Sequence, residues 1–346
     1  MTPTITRRPD IKKLVRPNVL KLKAYEAKEI PCKVKLDANE SPYGYGYLKG
    51  IKTNRYPDPQ ANRLKSVFAK FAGVSPSNIL TGNGSDELIY YLITTFGGPV
   101  LYPTPTFSMY GIIAKALGEK TIEVPLDKEF DLDLKKILSV IKKEKPKLVF
   151  LSSPNNPTGN CFSAERILKI IKASKGLVVV DEAYQPFSSE RGMAPLLMDY
   201  ENLLIMRTLS KVGLAALRVG FLIGDEKILN EVNKVRLPFN LNSVSQALAE
   251  KALKDRKKAR AIIRAIVRER DRLYRGLSKI KGVRPYPSEA NFILFKVKDA
   301  DKAYSALLNK GVLIRNMKGV IDSCLRVTVG APKENEMFLK ALGEII

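Results

Sequence analysis

Apolar positions in the middle of this chain come in short unbroken runs. Residues 147–151, 177–180, 203–206 and 219–223 carry almost no polar side chain and show no two-residue alternation. That is the pattern of strands covered on both faces. Residues 100–102 and 120–124 read as shorter strands of the same kind. Between them, 62–71, 109–117, 132–143 and 164–173 place apolar residues at helical spacing. Strands alternating with helices predict an α/β fold with a mainly parallel sheet lying between helices. The stretch from Ile79 to Glu87 reads as a Gly-rich turn opening a helix over 88–93, capped by Ser85 or Asp86. Such a helix start can be an anion site or simply a capped helix.

The pattern changes after Pro238. A long helical region extends to about Arg275, followed by strand 291–297, helix 302–309, strands 312–315 and 325–329, and helix 334–342. This predicts a smaller α+β domain. The expected division is an N-terminal arm over 1–42, punctuated by Pro3, Pro9, Pro17 and Pro31, a large domain over 43–240, and a small domain over 241–346.

Composition narrows the chemistry. The chain has 346 residues, and 59 basic against 35 acidic side chains give a net charge of +24. The densest basic run, Lys251 to Arg275, also carries apolar residues at helical spacing. It reads as a helix with one packed and one solvated face, in preference to a nucleic-acid surface. No apolar run is long enough to span a bilayer and no signal core opens the chain, so a cytoplasmic protein without membrane or nucleic-acid partners is expected. Three scattered cysteines suggest neither a disulfide framework nor a metal site. There is no histidine. Acid–base work therefore falls to Lys, Tyr, Asp, Glu or Cys.

Several polar residues fall at or just beyond strand ends, where ligands sit in open α/β sheets: Asn156 in Ser153-Pro154-Asn155-Asn156-Pro157-Thr158-Gly159, Asp181 in Asp181-Glu182-Ala183-Tyr184, and Lys211 in Thr208-Leu209-Ser210-Lys211. A desolvated lysine can form a Schiff base with an aldehyde cofactor such as pyridoxal phosphate. The cofactor's ring nitrogen needs a buried carboxylate, which Asp181 can supply, and its ring oxygen needs donors such as Tyr184 and Asn156. Its phosphate needs a helix N-terminus and cations, for which the Ser85-Asp86 turn, Ser210 and Arg218 are candidates.

These three motifs, in this order, resemble the fold-type I pyridoxal phosphate-dependent aminotransferases over nearly the whole chain. Leu36-Asp37-Ala38-Asn39-Glu40, Asn54-Arg55-Tyr56-Pro57, Gly84-Ser85-Asp86-Glu87 and the run Leu325 to Gly330 look like the histidinol-phosphate aminotransferase branch. Aromatic or broad-specificity aminotransferases and threonine-phosphate decarboxylases are close relatives of that branch. The resemblance implies a large cofactor-binding domain and exchange of an amino group between glutamate/2-oxoglutarate and histidinol phosphate/imidazole acetol phosphate. It implies that Lys211 anchors the cofactor and shuttles a proton, that Asp181 pairs with the ring nitrogen, and that Asn156 and Tyr184 bind the ring hydroxyl. Phe107 stands where the family stacks an aromatic ring, more often tyrosine. Ser85, Asp86, Thr208, Ser210 and Arg218 would hold the phosphate, and Tyr56 would reach the phosphate of a neighbouring subunit in a homodimer. Arg326, helped by Arg315 and Tyr25, would hold the substrate anion. The spacing from Lys211 to Arg218 is one residue shorter than is usual in the family, which puts the phosphate contact of Arg218 in question.

Overall fold

The computed structural model describes residues 10–23 and 50–346. Tyr25, the 36–40 motif and most of the expected arm lie outside the described residues. Where the arm is described it forms two single-turn helices, α1 (Ile11–Leu14) and α2 (Pro17–Leu20), and Val15 and Val19 are buried.

From α3 (Asn62–Ala72) strands and helices alternate: β1 (Ile79–Asn83), α4 (Ser85–Phe96), β2 (Val100–Thr104), α5 (Met109–Ala116), β3 (Thr121–Pro125), α6 (Leu134–Glu144), β4 (Leu148–Ser152), α7 (Ala164–Ala173), β5 (Leu177–Asp181), β6 (Leu203–Thr208), β7 (Val219–Ile223) and α8 (Glu226–Asn233). The strands make one seven-stranded sheet in the order β1-β7-β6-β5-β4-β2-β3. β3, β2, β4, β5 and β6 are parallel, while β7 runs antiparallel to both its neighbours, β6 and β1. The fold is α/β with a mainly parallel sheet.

The unbroken apolar runs have a direct cause. Side chains alternate across a strand, and here both faces are covered. Val149, Leu151, Val178, Val180, Leu203 and Ile205 enter one core with α3, α6 and α7. Leu148, Phe150, Leu177, Val179, Leu204 and Met206 enter the other with α4, α5 and α8. With neither face solvated, no position on these strands calls for a polar residue until the strand ends.

The remainder builds a second sheet. Its elements are α9 (Ser243–Lys254), α10 (Arg256–Ser278), β8 (Arg284–Pro285), β9 (Phe292–Lys296), α11 (Ala300–Asn309), β10 (Arg315–Asn316), β11 (Cys324–Thr328) and α12 (Pro332–Gly343). The sheet is antiparallel in the order β10-β11-β9-β8, and Leu273, Leu277, Phe295, Leu325 and Phe338 form part of its own core. Leu241 and Ala249 pack in the first core, so α9 sits with the large sheet.

Besides α1, α2, α8 and β8, which the sequence reading did not include, three expected elements differ from it. The single long helix is two helices, because Asp255 ends α9 and its carboxylate accepts from the Lys258 N–H at 3.0 Å to start α10. The 312–315 strand shrinks to Arg315–Asn316: the Val312 N–H bonds back to Leu307 O at 2.9 Å to close α11, and Leu313 has no core to enter and is 72% exposed. The Gly-rich turn includes an edge strand, β1, paired with β7 from Ile79↔Ile223 to Asn83↔Val219. No helix among the described residues is long and apolar enough to cross a membrane, and no cluster of three metal-ligating side chains occurs among them.

Candidate active site

The site lies beyond the carboxyl ends of β4, β5 and β6. Ser85, Asp86, Phe107, Asn156, Asp181, Tyr184, Thr208, Ser210, Lys211 and Arg218 all line one cavity of about 80 Å³, together with Ser152 and Ala183. Register places these residues side by side: Ser152 pairs with Asp181, and Asp181 with Met206, so β4 and β5 end at one level and β6 runs two residues further to Thr208.

Asp181 is 3% exposed. Its Oδ2 accepts from the Tyr110 hydroxyl at 2.7 Å and its Oδ1 from the Ala183 N–H at 3.0 Å. No cation lies within ion-pair reach of it among the described residues. Burial therefore pushes its pKa up to about 6, although Tyr110, the Ala183 N–H and the more distant charge of Lys211 pull the other way. Burial lowers the pKa of Lys211, only partly offset by Asp181 and Asp86. Its Nζ stands 5.6 Å from the centroid of the Tyr184 ring. Burial holds the Tyr184 phenol neutral, pushed up to about 12. Phe107 meets Tyr110 edge-on with centroids 5.6 Å apart.

The Asn-Asn-Pro loop divides labour between its two amides. Asn155 is wholly buried and ties the loop down: its Nδ2 donates to Pro105 O and Thr158 Oγ1, and its Oδ1 accepts from Thr106. Asn156 faces the cavity, and its Oδ1 accepts from Arg326 Nη1. Arg326 thus reaches from the second sheet into the first, with its guanidinium 5.0 Å from the Phe292 ring centroid. It lies directly opposite Arg315 across the β10–β11 pair. Like charges placed opposite each other repel; an anion between them would relieve this.

At the other end of the cavity α4 begins. The expectation that Ser85 or Asp86 caps it is corrected: Gly84, at φ 81°, holds the N-cap position and no side chain caps the helix, so Ser85 and Asp86 are its first two residues. The first turn of α4 therefore starts at the cavity wall without a side-chain oxygen from its N-cap residue. A Cβ on Gly220 would come within 2.7–2.9 Å of Gly84 and Ser85 backbone atoms, and one on Gly84 within 2.4 Å of Arg218 Nη2. Despite the short loop after Lys211, Arg218 is here. It adopts φ 53° and donates to Ser210 Oγ at 3.2 Å and Asp86 Oδ2 at 3.3 Å. Thr208 Oγ1 donates to Ser210 Oγ at 3.0 Å.

Tyr56 is not part of the cavity. It is 58% exposed and stacks on Phe239 at 4.6 Å. Arg315 is exposed on its edge strand. The sequence reading passed over two contributors, Ser152 and Tyr110. Tyr110 left one signal, a phenol on the apolar face of a helix, since a buried hydroxyl needs a partner.

The aminotransferase class I and II profile matches residues 17–342. The chain is similar to a histidinol-phosphate aminotransferase of Aquifex aeolicus, 44% identical with 96% of this chain and 98% of the relative covered. It is similar in structure to the histidinol-phosphate aminotransferase of Clostridium acetobutylicum, with a TM-score of 0.79, 27% identity, and 84% of this chain and 90% of that one covered. The Sinorhizobium meliloti histidinol-phosphate aminotransferase, solved in complex with pyridoxal 5′-phosphate, gives a TM-score of 0.78 at 27% identity, covering 84% of this chain and 83% of that one.

Proposed function

We propose, since this chain belongs to the class I and II aminotransferase family, that it is a histidinol-phosphate aminotransferase. It would exchange an amino group between glutamate/2-oxoglutarate and histidinol phosphate/imidazole acetol phosphate, using pyridoxal 5′-phosphate. The observation that carries the reading is the convergence of Lys211, Asp181 and Asn156 on one cavity, with Arg326 bonded to Asn156 at its edge, in a chain 44% identical to a protein of that name.

The residues present fit the cofactor. Asp181 is a buried carboxylate with two donors and no cationic partner among the described residues, an arrangement that a protonated ring nitrogen completes. The uncapped start of α4, Ser85, Thr208, Ser210 and Arg218 form the opposite end and suit a phosphate. Asp86, an acid, contributes there by orienting the Arg218 guanidinium. Asn156 and Tyr184 suit the ring oxygen, and Phe107 the ring face.

Pyridoxal phosphate, when bound, supplies the sink for the electrons released at the substrate's Cα. The chain's residues supply the rest. Lys211, with its pKa lowered by burial, would hold the cofactor through Nζ and move the proton at the substrate's Cα. Asp181 holds the proton on the ring nitrogen. Arg326 takes the glutamate carboxylate and the histidinol phosphate phosphoryl group in turn, because its fork of N–H donors matches both. Arg315, across the strand pair, adds charge for the phosphoryl group.

The enzyme is also proposed to act as a homodimer in the cytoplasm. Tyr56, exposed and stacked on Phe239, offers an apolar surface to a second copy and a phenol to its phosphate site. Cys161 and Cys324 are free thiols, in keeping with a reducing compartment.

The deciding assay offers the purified, pyridoxal phosphate-loaded protein histidinol phosphate beside phenylalanine, tyrosine and threonine phosphate. A clear preference for histidinol phosphate is expected. Preference for an aromatic amino acid, or release of carbon dioxide from threonine phosphate, would hand the chain to another branch.

A further inference from the structure

Tyr110 does not face the cavity, yet its hydroxyl ends on the carboxylate at the cavity's floor. α5 turns the residue fully inward; no part of it is exposed. Its ring stacks on Phe150 with centroids 4.8 Å apart and an interplanar angle of 10°, and it meets Phe107 edge-on. A ring clamped in this way has almost no rotational freedom, so its oxygen is delivered to one place. That place is 2.7 Å from Asp181 Oδ2.

The packing alone would be served by phenylalanine. The hydroxyl is the feature that needs explaining. A buried carboxylate is driven toward its neutral form, and a hydrogen bond donated to the charged form opposes this. An ionised carboxylate offers about four lone-pair sites. Tyr110 and the Ala183 N–H occupy one on each oxygen and fix the plane of the group, leaving the others for a ligand in the cavity. We propose that Tyr110 is a positioning residue for the reaction: its hydroxyl orients the Asp181 carboxylate and keeps it ionised, and so extends cofactor binding to lower pH. The inference rests on the reading of the cavity as a pyridoxal phosphate site.

The groups facing Asp181 are Tyr110 from α5, Lys211 from the loop after β6, Asp86 from α4 and Tyr184 from the turn after β5. Lys211 favours the ionised form and Asp86 opposes it, while the Tyr184 phenol stays neutral. Burial brings Asp181 up to about 6, and the Tyr110 hydrogen bond is the largest influence holding it down. Removing the hydroxyl therefore moves Asp181 further up, and a neutral Asp181 cannot pair with a protonated ring nitrogen.

The test is equilibrium titration with pyridoxal phosphate, read by the absorbance of bound cofactor, from pH 5 to 9. It compares the wild type with Tyr110→Phe, Asp181→Asn and the double variant. Wild-type affinity should fall as pH drops through about 6. In Tyr110→Phe the fall should begin about one pH unit higher, giving affinity weaker by roughly threefold at pH 6.5, approaching about tenfold at pH 5, and little changed above pH 8. In the Asp181→Asn background the same change should leave the pH dependence untouched. A fluorotyrosine placed at 110 keeps ring and hydroxyl but is a stronger donor; it should move the fall to lower pH, and it decides the matter alone if Tyr110→Phe does not fold. Superimposable profiles, or an offset equal at every pH, would show a packing role only and overturn the proposal. A wild type that binds no pyridoxal phosphate at any pH would remove the cofactor reading and this inference with it.

Discussion

At the scale of single residues, the site trades stability for reactivity. Asp181 has a pKa of about 6, above the ordinary carboxylate value of 3.8. For an acid raised on folding, the folded state binds its proton more tightly, so its contribution to stability falls as pH rises from the unfolded to the folded value. In the cofactor-free protein its charge therefore opposes folding above about pH 6, and this opposition disappears toward pH 4. Asp181→Asn removes the charge and keeps the shape. Thermal unfolding without cofactor should show the variant more stable than wild type at pH 8, by about 1–3 kcal/mol, with little difference near pH 4. Its kcat should fall on the order of 100-fold or more while cofactor still binds, because the electrostatic partner of the ring nitrogen is gone; a wild-type kcat would exclude Asp181 from that role. Arg326 is the complementary case. Arg326→Lys keeps a charge but loses the fork, so kcat/KM should drop for both half-reactions by about 2–4 kcal/mol with cofactor retained. Measured half-reactions with glutamate and histidinol phosphate check this, and unchanged rates would move the anion site elsewhere. Lys211, Asp181 and Asn156 were legible in the sequence because each ends or follows an apolar run that has no other reason to stop in a polar side chain. Tyr110 was not, since among Met109, Ile113 and Ala114 it reads as core packing; only the fold shows that the apolar face of α5 runs past the end of β5.

At the scale of elements, the proposed phosphate end of the site depends on how closely α4 can approach β7. Gly220 lies between Gly82 on β1 and Thr208 on β6 in the strand register, and its missing side chain leaves room for the Gly84–Ser85 backbone. Gly220→Ala would put a Cβ 2.7–2.9 Å from backbone atoms, which cannot swing aside as a side-chain tip can. The start of α4 must shift. Overpacking of this kind costs about 1–3 kcal/mol of stability. Cofactor affinity should also weaken, by roughly tenfold or more, because the N–H groups and Arg218 would no longer converge on one point. A cofactor titration and a thermal melt read the two effects separately, and unchanged affinity would show that the helix start is not the anion site. Element boundaries were legible wherever periodicity decided them, as for α7 and β7. They were misread where a single hydrogen bond decides. Asp255 interrupts a continuous helical pattern by capping α10, and the Val312 N–H is taken by α11 before a strand can form. Neither choice leaves a mark on hydrophobic spacing.

At the scale of the whole molecule, the open question is whether one chain makes a complete site. The cavity gathers ten of the expected residues from a single copy, but Tyr56 points its exposed ring elsewhere and stacks on Phe239. A tyrosine 58% exposed and stacked on Phe239 is a surface to be covered. If a second copy covers it and Tyr56 serves that copy's phosphate end, Lys211 and Tyr56 of one chain work in different sites. On that reading a Lys211→Ala chain would not anchor cofactor in its own site, and a Tyr56→Ala chain would weaken the site of its partner. In a hybrid of the two, one site lacks both residues and the other has both. Random pairing makes about half of the dimers hybrid, each with one competent site, so the mixture should recover about a quarter of wild-type activity. Co-expression with two different affinity tags allows the hybrid to be purified, where about half of wild-type activity per dimer is expected. Tyr56→Ala alone must first be clearly impaired, which its own assay establishes. Purified hybrids no more active than either parent would mean that Tyr56 serves its own chain or none, and that the site closes without the partner's phenol.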